Sequence, residues 1–206
     1  MQHFGGWRAL RGLLADIARE KGYDGAICAL LDGEVVSLGA EAKPGSRVRF
    51  LSPRQSEHAS RVFLRGATFL LYCAAKALYP QRRLVVDYAL CGGVFCELPG
   101  VTEAEIALLQ AKVDEYVARD DDFTLSTVPV EEARLSDKLE LLKYRPFDYC
   151  RFYAFDGRRN YFHGIMPKSS GSLFGMTLHA YADGIMLKYP SPHMEARTPI
   201  IAQPKY

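Results

Sequence analysis

The longest helical pattern in this chain runs from residue 56 to residue 78 and ends where Pro80 blocks further helix. Its apolar residues recur every three or four positions, which predicts a helix with one continuous apolar face. We expect this helix to pack on an antiparallel sheet, and no other segment constrains the fold as strongly. The apolar positions are Phe63, Ala67, Leu70, Ala74 and Leu78.

The first fifty residues predict a small unit in which a helix precedes three strands. Residues 8–21 carry leucine and isoleucine at helical spacing, and short apolar runs follow at 26–31 and 34–38. Asp32-Gly33 joins those two runs, and this dipeptide is typical of a hairpin turn because both of its positions need positive φ. A third strand is predicted at 47–51. So small a sheet needs a neighbour to cover it.

Two further helices and six strands are predicted downstream. Thr102 and Glu105 have the spacing of a capping box, in which each side chain accepts a bond from the other residue's backbone amide, so we expect a helix from that point. Another helix is predicted at 130–143. Strand-like runs occupy 84–88, 94–98, 123–128, 149–155, 161–165 and 185–189.

Composition excludes several classes of protein. The 26 basic and 24 acidic residues leave a net charge of +2, so there is no global nucleic-acid signature. The longest apolar stretch, 67–78, is too short to cross a bilayer, and we expect no membrane partner. The five cysteines form no C-x-x-C pair and predict small core residues in a reducing compartment. The first residues lack the pattern of a secretory signal, and we expect a cytoplasmic protein.

Several segments together resemble one family. Residues 61–80, which close in Leu78-Tyr79-Pro80, resemble the long first helix of the second domain in threonyl-tRNA synthetases. Residues 156–171 are similar to the last motif of the editing site in those enzymes. The first fifty residues resemble the TGS domain, a β-grasp module that precedes the editing domain. The resemblance implies an α+β fold in which a small β-grasp domain at 1–52 is followed by a larger α+β domain at 53–190.

A related resemblance is to bacterial nucleoside (uridine) kinase-like proteins, which carry the same pair of domains ahead of a P-loop kinase. It implies that 191–206, a proline-bearing tail, leads as a linker to a kinase domain in cis. No Gly-x-x-x-x-Gly-Lys-Ser/Thr motif occurs in the chain, so ATP and magnesium are expected only for that further domain and no cofactor is expected here. The shared motifs are Leu78-Tyr79-Pro80, Tyr161-Phe162-His163-Gly164, Ser170-Gly171-Ser172-Leu173 and the strand from Gly184 to Pro190.

The resemblance also shows what is missing. The synthetase editing site needs two histidines four residues apart on the long helix, then a cysteine and a histidine from the late motif. Here the matching positions are Arg65, Phe69, Phe162 and Met166. Arginine stays protonated, and phenylalanine and methionine have no group that transfers a proton. We therefore expect no catalytic residue and no metal site, and a module that binds or regulates.

Four interpretations of this region remain open. Basic side chains could form a cleft for tRNA or for a small phosphate, nucleoside or amino-acid ligand; alternatively the apolar three fill the pocket as core, and Arg65 pairs with an acid. His163 could instead support a trans-acting deacylase for mischarged tRNA. Arg61 and Arg65, one helical turn apart, could form a plain tRNA-binding face. The ligand-binding candidates are Arg61, Arg65, Lys138, His163 and Lys168.

Overall fold

The computed structural model of the protein describes residues 12–90, 92–129 and 149–192. These ranges contain three α-helices and twelve strands, and every strand pair is antiparallel. The predicted α+β class is confirmed. The whole of the predicted helix at 130–143, including Lys138, and the tail beyond residue 192 lie outside the described residues.

The first unit has a three-stranded sheet in the order β3-β2-β5 and a short two-stranded ribbon of β1 and β4. The hairpin predicted at Asp32-Gly33 is confirmed, since φ is 52° at Asp32 and 98° at Gly33. The elements are β1 (Gly12–Leu13), α1 (Leu14–Glu20), β2 (Cys28–Leu31), β3 (Glu34–Ser37), β4 (Glu41–Ala42) and β5 (Val48–Leu51).

Helix α2 (Glu57–Leu78) is the long helix that the sequence predicts, and thirteen of its residues are buried. Helix α3 (Glu103–Arg119) starts at the predicted capping box: Thr102 Oγ1 accepts from the Glu105 amide at 3.2 Å, and Glu105 Oε2 accepts from the Thr102 amide at 2.8 Å. Both helices share one apolar core with the inward side chains of a four-stranded sheet ordered β11-β12-β7-β6. Its strands are β6 (Val85–Leu90), β7 (Gly93–Glu97), β11 (Thr177–Tyr181) and β12 (Gly184–Lys188).

The same core extends into the first unit. Ile27, Cys28 and Leu51 belong to one buried cluster together with residues of α2. Helix α2 therefore covers part of the first sheet, as a sheet of that size requires.

A third sheet, in the order β10-β9-β8, carries the late part of the chain. Cys150 and Phe152 form a separate buried cluster with Val128 and Tyr161 on one face of this sheet. Side chains alternate along a strand, so Tyr149, Arg151 and Tyr153 project from the opposite face. The strands are β8 (Thr124–Pro129), β9 (Tyr149–Phe155) and β10 (Arg158–Tyr161).

Three features differ from the sequence prediction. Within the described residues, which start at 12, the helix predicted at 8–21 begins at Leu14, because Gly12 and Leu13 pair with β4 as a strand. The strand predicted at 161–165 is instead β10, which ends at Tyr161, and residues 162–165 form a loop. Strand β11 and the 3-10 helix at Ser170–Leu173 were not predicted.

The Ser170–Leu173 turn holds the end of helix α3. Asp120, which ends the helix with φ of 52°, accepts from the Gly171 amide at 3.0 Å and from the Ser169 hydroxyl. The Ser170 hydroxyl donates to the Tyr116 carbonyl at 2.7 Å. These bonds satisfy groups at the carboxyl end of a helix, where carbonyls otherwise lack partners. The motif is thus part of the packing of α3.

Gly66 places the loop after β10 directly on helix α2. A Cβ at this position would lie 2.7 Å from Pro167 Cγ and 3.0 Å from Leu173 Cδ2, closer than side chains pack. We predict that Gly66→Val lowers the free energy of unfolding by about 2 kcal/mol or more, because overpacking a core costs about 1–3 kcal/mol. The measurement is urea unfolding.

Ala111→Val is the matched control, since Ala111 is exposed on α3. It should cost no more than about 0.6 kcal/mol through helix propensity. Equal losses for the two variants would contradict close packing at Gly66.

Candidate functional site

Arg65 reaches from helix α2 to the loop that follows β10. Its side chain is partly buried, and Nε donates to the Ile165 carbonyl at 2.8 Å. The guanidinium carbon lies 3.2 Å from the point where Gly164 would carry a Cβ, and Gly164 has φ of 97°. Glycine is therefore required at 164 both by the backbone conformation and by the arginine beside it.

The guanidinium has no carboxylate counter-ion among the described residues. Burial lowers the pKa of Arg65, nearby Tyr153 and Cys28 oppose that shift, and Arg61 adds to it by repulsion. Arginine starts from so high a pKa that it stays charged at neutral pH. Across residues 12–90, 92–129 and 149–192 no carboxylate lies within ion-pair distance of Arg65, so the alternative of pairing with an acid finds no support there.

Tyr153 bonds to the same loop from the sheet side. Its hydroxyl donates to the Gly164 carbonyl at 3.3 Å and accepts from the Met166 amide. Burial raises the pKa of Tyr153, opposed by the Met166 amide and by the positive charges of Arg65 and Arg151. The phenol is therefore neutral near pH 7 and acts as a polar link.

The three apolar positions pack as core. Phe69 and Met166 are buried, and Phe162 is partly buried against the same cluster. The ring centroids of Phe69 and Phe162 lie 5.3 Å apart, and those of Phe69 and Phe123 lie 5.8 Å apart, distances typical of aromatic pairs. The structure therefore brings Arg65, Phe69 and Phe162 close together, and apolar side chains occupy the space around them.

The other candidates lie in different settings. Lys168 Nζ donates to Asp122 Oδ1 at 2.8 Å, so the charge of Lys168 is paired with that carboxylate at the surface. Arg61 is exposed one turn before Arg65, and His163 is exposed. Lys138 lies outside the described residues.

A cleft of about 380 Å³ opens beside Arg65. Its walls are the exposed face of β8 and β9 and the loop after β10, with His163 among the lining residues. Sequence reasoning did not name the sheet wall of this cleft, although the strand at 149–155 was predicted with correct bounds and its alternation of tyrosine and arginine was visible. The lining residues are Leu125, Tyr149, Arg151, Tyr153, Tyr161, Phe162, His163, Gly164 and Ile165.

A larger cleft of about 670 Å³ lies in the first unit, between the loop after α1 and strand β5. Tyr23 and Phe50 contact each other there with ring centroids 4.8 Å apart. None of the candidate residues from the sequence lines it.

Comparison with known proteins gives one informative match. The chain is similar over part of its length to a threonine–tRNA ligase. It is 28% identical over 126 residues to the enzyme of Pelobacter propionicus, which covers 58% of this chain and 20% of the ligase. The chain thus matches about one fifth of the length of that relative, and no family model matches it. No helix within the described ranges has the length and apolar character needed to span a membrane.

The thiol next to Arg65 should be inert. Burial raises the pKa of Cys28 to about 12, and the positive charge of Arg65 offsets this only in part. At pH 8 a thiol with that pKa is ionised in roughly one molecule in ten thousand. We predict that iodoacetamide at pH 8 leaves Cys28 unmodified in the folded protein and modifies it in urea, as read by peptide mass spectrometry.

Cys73 and Cys96 serve as controls, because burial also raises the pKa of each to about 12. Rapid labelling of Cys28 without labelling of these two would show that the Arg65 site stabilises a thiolate.

Proposed function

We propose that this chain is a non-catalytic binding region, related to the editing region of threonyl-tRNA synthetases, that binds an anionic ligand containing nucleotides, with tRNA as the first candidate. The observation that carries the proposal is the Arg65 guanidinium, partly buried beside a cleft and without a carboxylate partner among the described residues. A planar guanidinium is suited to phosphate because it donates two parallel hydrogen bonds. Nε of Arg65 donates to the Ile165 carbonyl, and within the described part of the chain its terminal nitrogens have no hydrogen-bond acceptor.

The lack of proton-transfer groups supports binding without hydrolysis. At the positions that resemble the editing ligands, one side chain is a permanent cation and three are hydrocarbon or thioether. Phe69 and Met166 are packed in the core as apolar side chains that have no group to activate a water.

The proposal extends to the context of the chain. The ordered motifs support a role as the N-terminal region of a nucleoside (uridine) kinase-family protein, in which a C-terminal domain would hold ATP and magnesium. The region would then sense a ligand or position the kinase. Sequencing the parent reading frame tests this: a P-loop motif soon after Tyr206 is expected, and a stop codon there would contradict it.

A second candidate function is trans-acting deacylation of mischarged tRNA. The observation in its favour is His163, the one histidine among the residues lining the cleft in the described part of the chain. Incubation of the protein with threonine tRNA charged with serine tests it. We expect no hydrolysis above buffer, and hydrolysis that disappears in His163→Ala would establish this function instead.

The test of the binding proposal is the affinity for tRNA at low salt, where phosphate contacts are strongest. We predict that Arg65→Gln weakens binding about tenfold or more, because a hydrogen bond to a charged group contributes about 1.5–3 kcal/mol. The affinity of Arg65→Lys for tRNA should lie between those of the unmodified chain and Arg65→Gln, since lysine keeps the charge but loses the planar pair of donors.

Arg54→Gln is the control, because Arg54 is exposed and its loss removes the same charge. Circular dichroism should show that each variant is folded. If Arg65→Gln and Arg54→Gln bind tRNA equally, Arg65 is not the anion site.

A further inference from the structure

Strand β5 (Val48–Leu51) lies at one edge of the sheet in the first unit. Among the described strands its neighbour is β2, and the two are antiparallel. The Asp32 amide donates to the Arg47 carbonyl at 2.9 Å, so residue 47 points its backbone groups toward β2. This direction alternates along an antiparallel strand, and the amides and carbonyls of Val48 and Phe50 therefore point to the outer edge.

Those outer groups have no protein partner in the part of the chain that the structure describes. No described strand pairs with the outer edge of β5, and neither Val48 nor Phe50 bonds to a loop or a side chain on that side. The register with β2 is continuous and the strand contains no proline, so neither a bulge nor a proline blocks further pairing. Unpaired backbone groups at a sheet edge are a template for another strand.

The outer edge of β5 is also one wall of the cleft of about 670 Å³ in the first unit, and the loop after α1 is the opposite wall. The rings of Tyr23 and Phe50, with centroids 4.8 Å apart, give the cleft an apolar surface. Sites that bind ligands commonly hold roughly 300–1,000 Å³. Space of a suitable size therefore lies beside the unpaired backbone groups, as the addition of a peptide strand to a sheet requires.

Charge selects the kind of strand that fits. Arg49 is exposed and lines the cleft, and no carboxylate of the described residues lies within ion-pair distance of it; Asp24, the other charged lining residue, is on the opposite wall. Opposite charges directly across two strands stabilise the pair, and like charges destabilise it. In the register where Val48 and Phe50 of two copies bond to each other, Arg49 would face Arg49. Charge therefore favours an acidic partner strand over a second copy.

We propose that the outer edge of β5 binds an extended peptide segment of a partner protein by antiparallel strand addition, with apolar side chains opposite Val48 and Phe50 and a carboxylate opposite Arg49. Side chains alternate along a strand, and Val48 and Phe50 pack against the buried cluster of the first unit, so their face is apolar while Arg49 projects from the other. The inference goes beyond the proposed function, because it concerns a different surface and a protein partner.

The experiment is fluorescence anisotropy of a labelled peptide, Thr-Val-Glu-Val-Thr, with the full chain. In the proposed register the valine amides bond to β5 and the glutamate amide points away from it. N-methylation of both valines should therefore weaken binding roughly 5- to 100-fold, since it removes two hydrogen bonds that each contribute about 0.5–1.5 kcal/mol. N-methylation of the glutamate is the matched control and should leave the affinity unchanged.

Arg49→Glu tests the charge on the protein side. It should weaken binding of the glutamate peptide about fivefold or more, because an opposite-charge pair that contributes up to about 1 kcal/mol becomes a like-charge pair. It should also strengthen binding of the same peptide with lysine in place of glutamate. Arg83→Glu is the control, because Arg83 is exposed ahead of β6 and outside the cleft. Circular dichroism should show that both variants are folded.

Amide hydrogen exchange by NMR gives a separate readout. The peptide should slow exchange at Val48 and Phe50 and leave Arg49 and Leu51, which already pair with β2, unchanged. The inference is overturned by no binding of the glutamate peptide to the unmodified chain, by equal binding of the two N-methylated peptides, by equal affinities of Arg49→Glu and Arg83→Glu, or by unchanged exchange at Val48 and Phe50. A dimer that protects these amides without peptide would identify a second copy as the occupant and also overturn it.

Discussion

The close approach of helix α2 to the loop after β10, made at Gly66, sets the geometry of the candidate site. With no side chain at Gly66, Pro167 lies against the helix backbone, and Arg65 and Phe69 on either side of it meet the loop at Ile165 and Phe162. Burial of the aromatic rings then excludes water from the helix side of the loop. On the sheet side, where β8 and β9 face outward, a cleft is open.

This arrangement separates two chemical environments by the thickness of one loop. On the helix side, Phe69 and Met166 are buried in hydrocarbon. On the sheet side, Tyr153 bonds both Gly164 and Met166 while its ring lines the cleft. Arg65 lies at this boundary: its side chain is partly buried, and its guanidinium lies against Gly164, which lines the cleft. A partly desolvated cation interacts more strongly with an anion than one in bulk water does.

Local sequence signals predicted the elements whose structure depends on residues nearby in the chain. Helix α2 has a full apolar face and a proline stop, helix α3 has its capping box, and the Asp32-Gly33 hairpin has residues that accept positive φ. The start of α1 could not be read in this way, because Gly12 and Leu13 form a strand only through pairing with Glu41 and Ala42. Likewise residues 162–165 have the apolar character of a strand but leave the sheet after Tyr161 to pack on α2.

For the site, the sequence indicated which residues meet near Arg65 but not what surrounds them. The resemblance pointed to Arg65, Phe69 and Phe162, which the fold does bring together. Lys168 was named as a ligand-binding candidate, but the sequence did not show that its charge pairs with Asp122, a partner 46 residues away. The cleft on β9 was also missed, because its walls come from three strands and a loop whose proximity depends on tertiary packing.

The apolar cluster that joins Ile27, Cys28 and Leu51 to helix α2 bears on how the chain could be divided. A fragment cut at the predicted boundary between residues 52 and 53 would remove these side chains from the helix and expose an apolar surface along α2. The first unit also has a buried cluster of its own, formed by Leu14, Ile17, Ala29, Leu38 and Ala42, while Ile27, Cys28 and Leu51 belong to the larger core that includes α2.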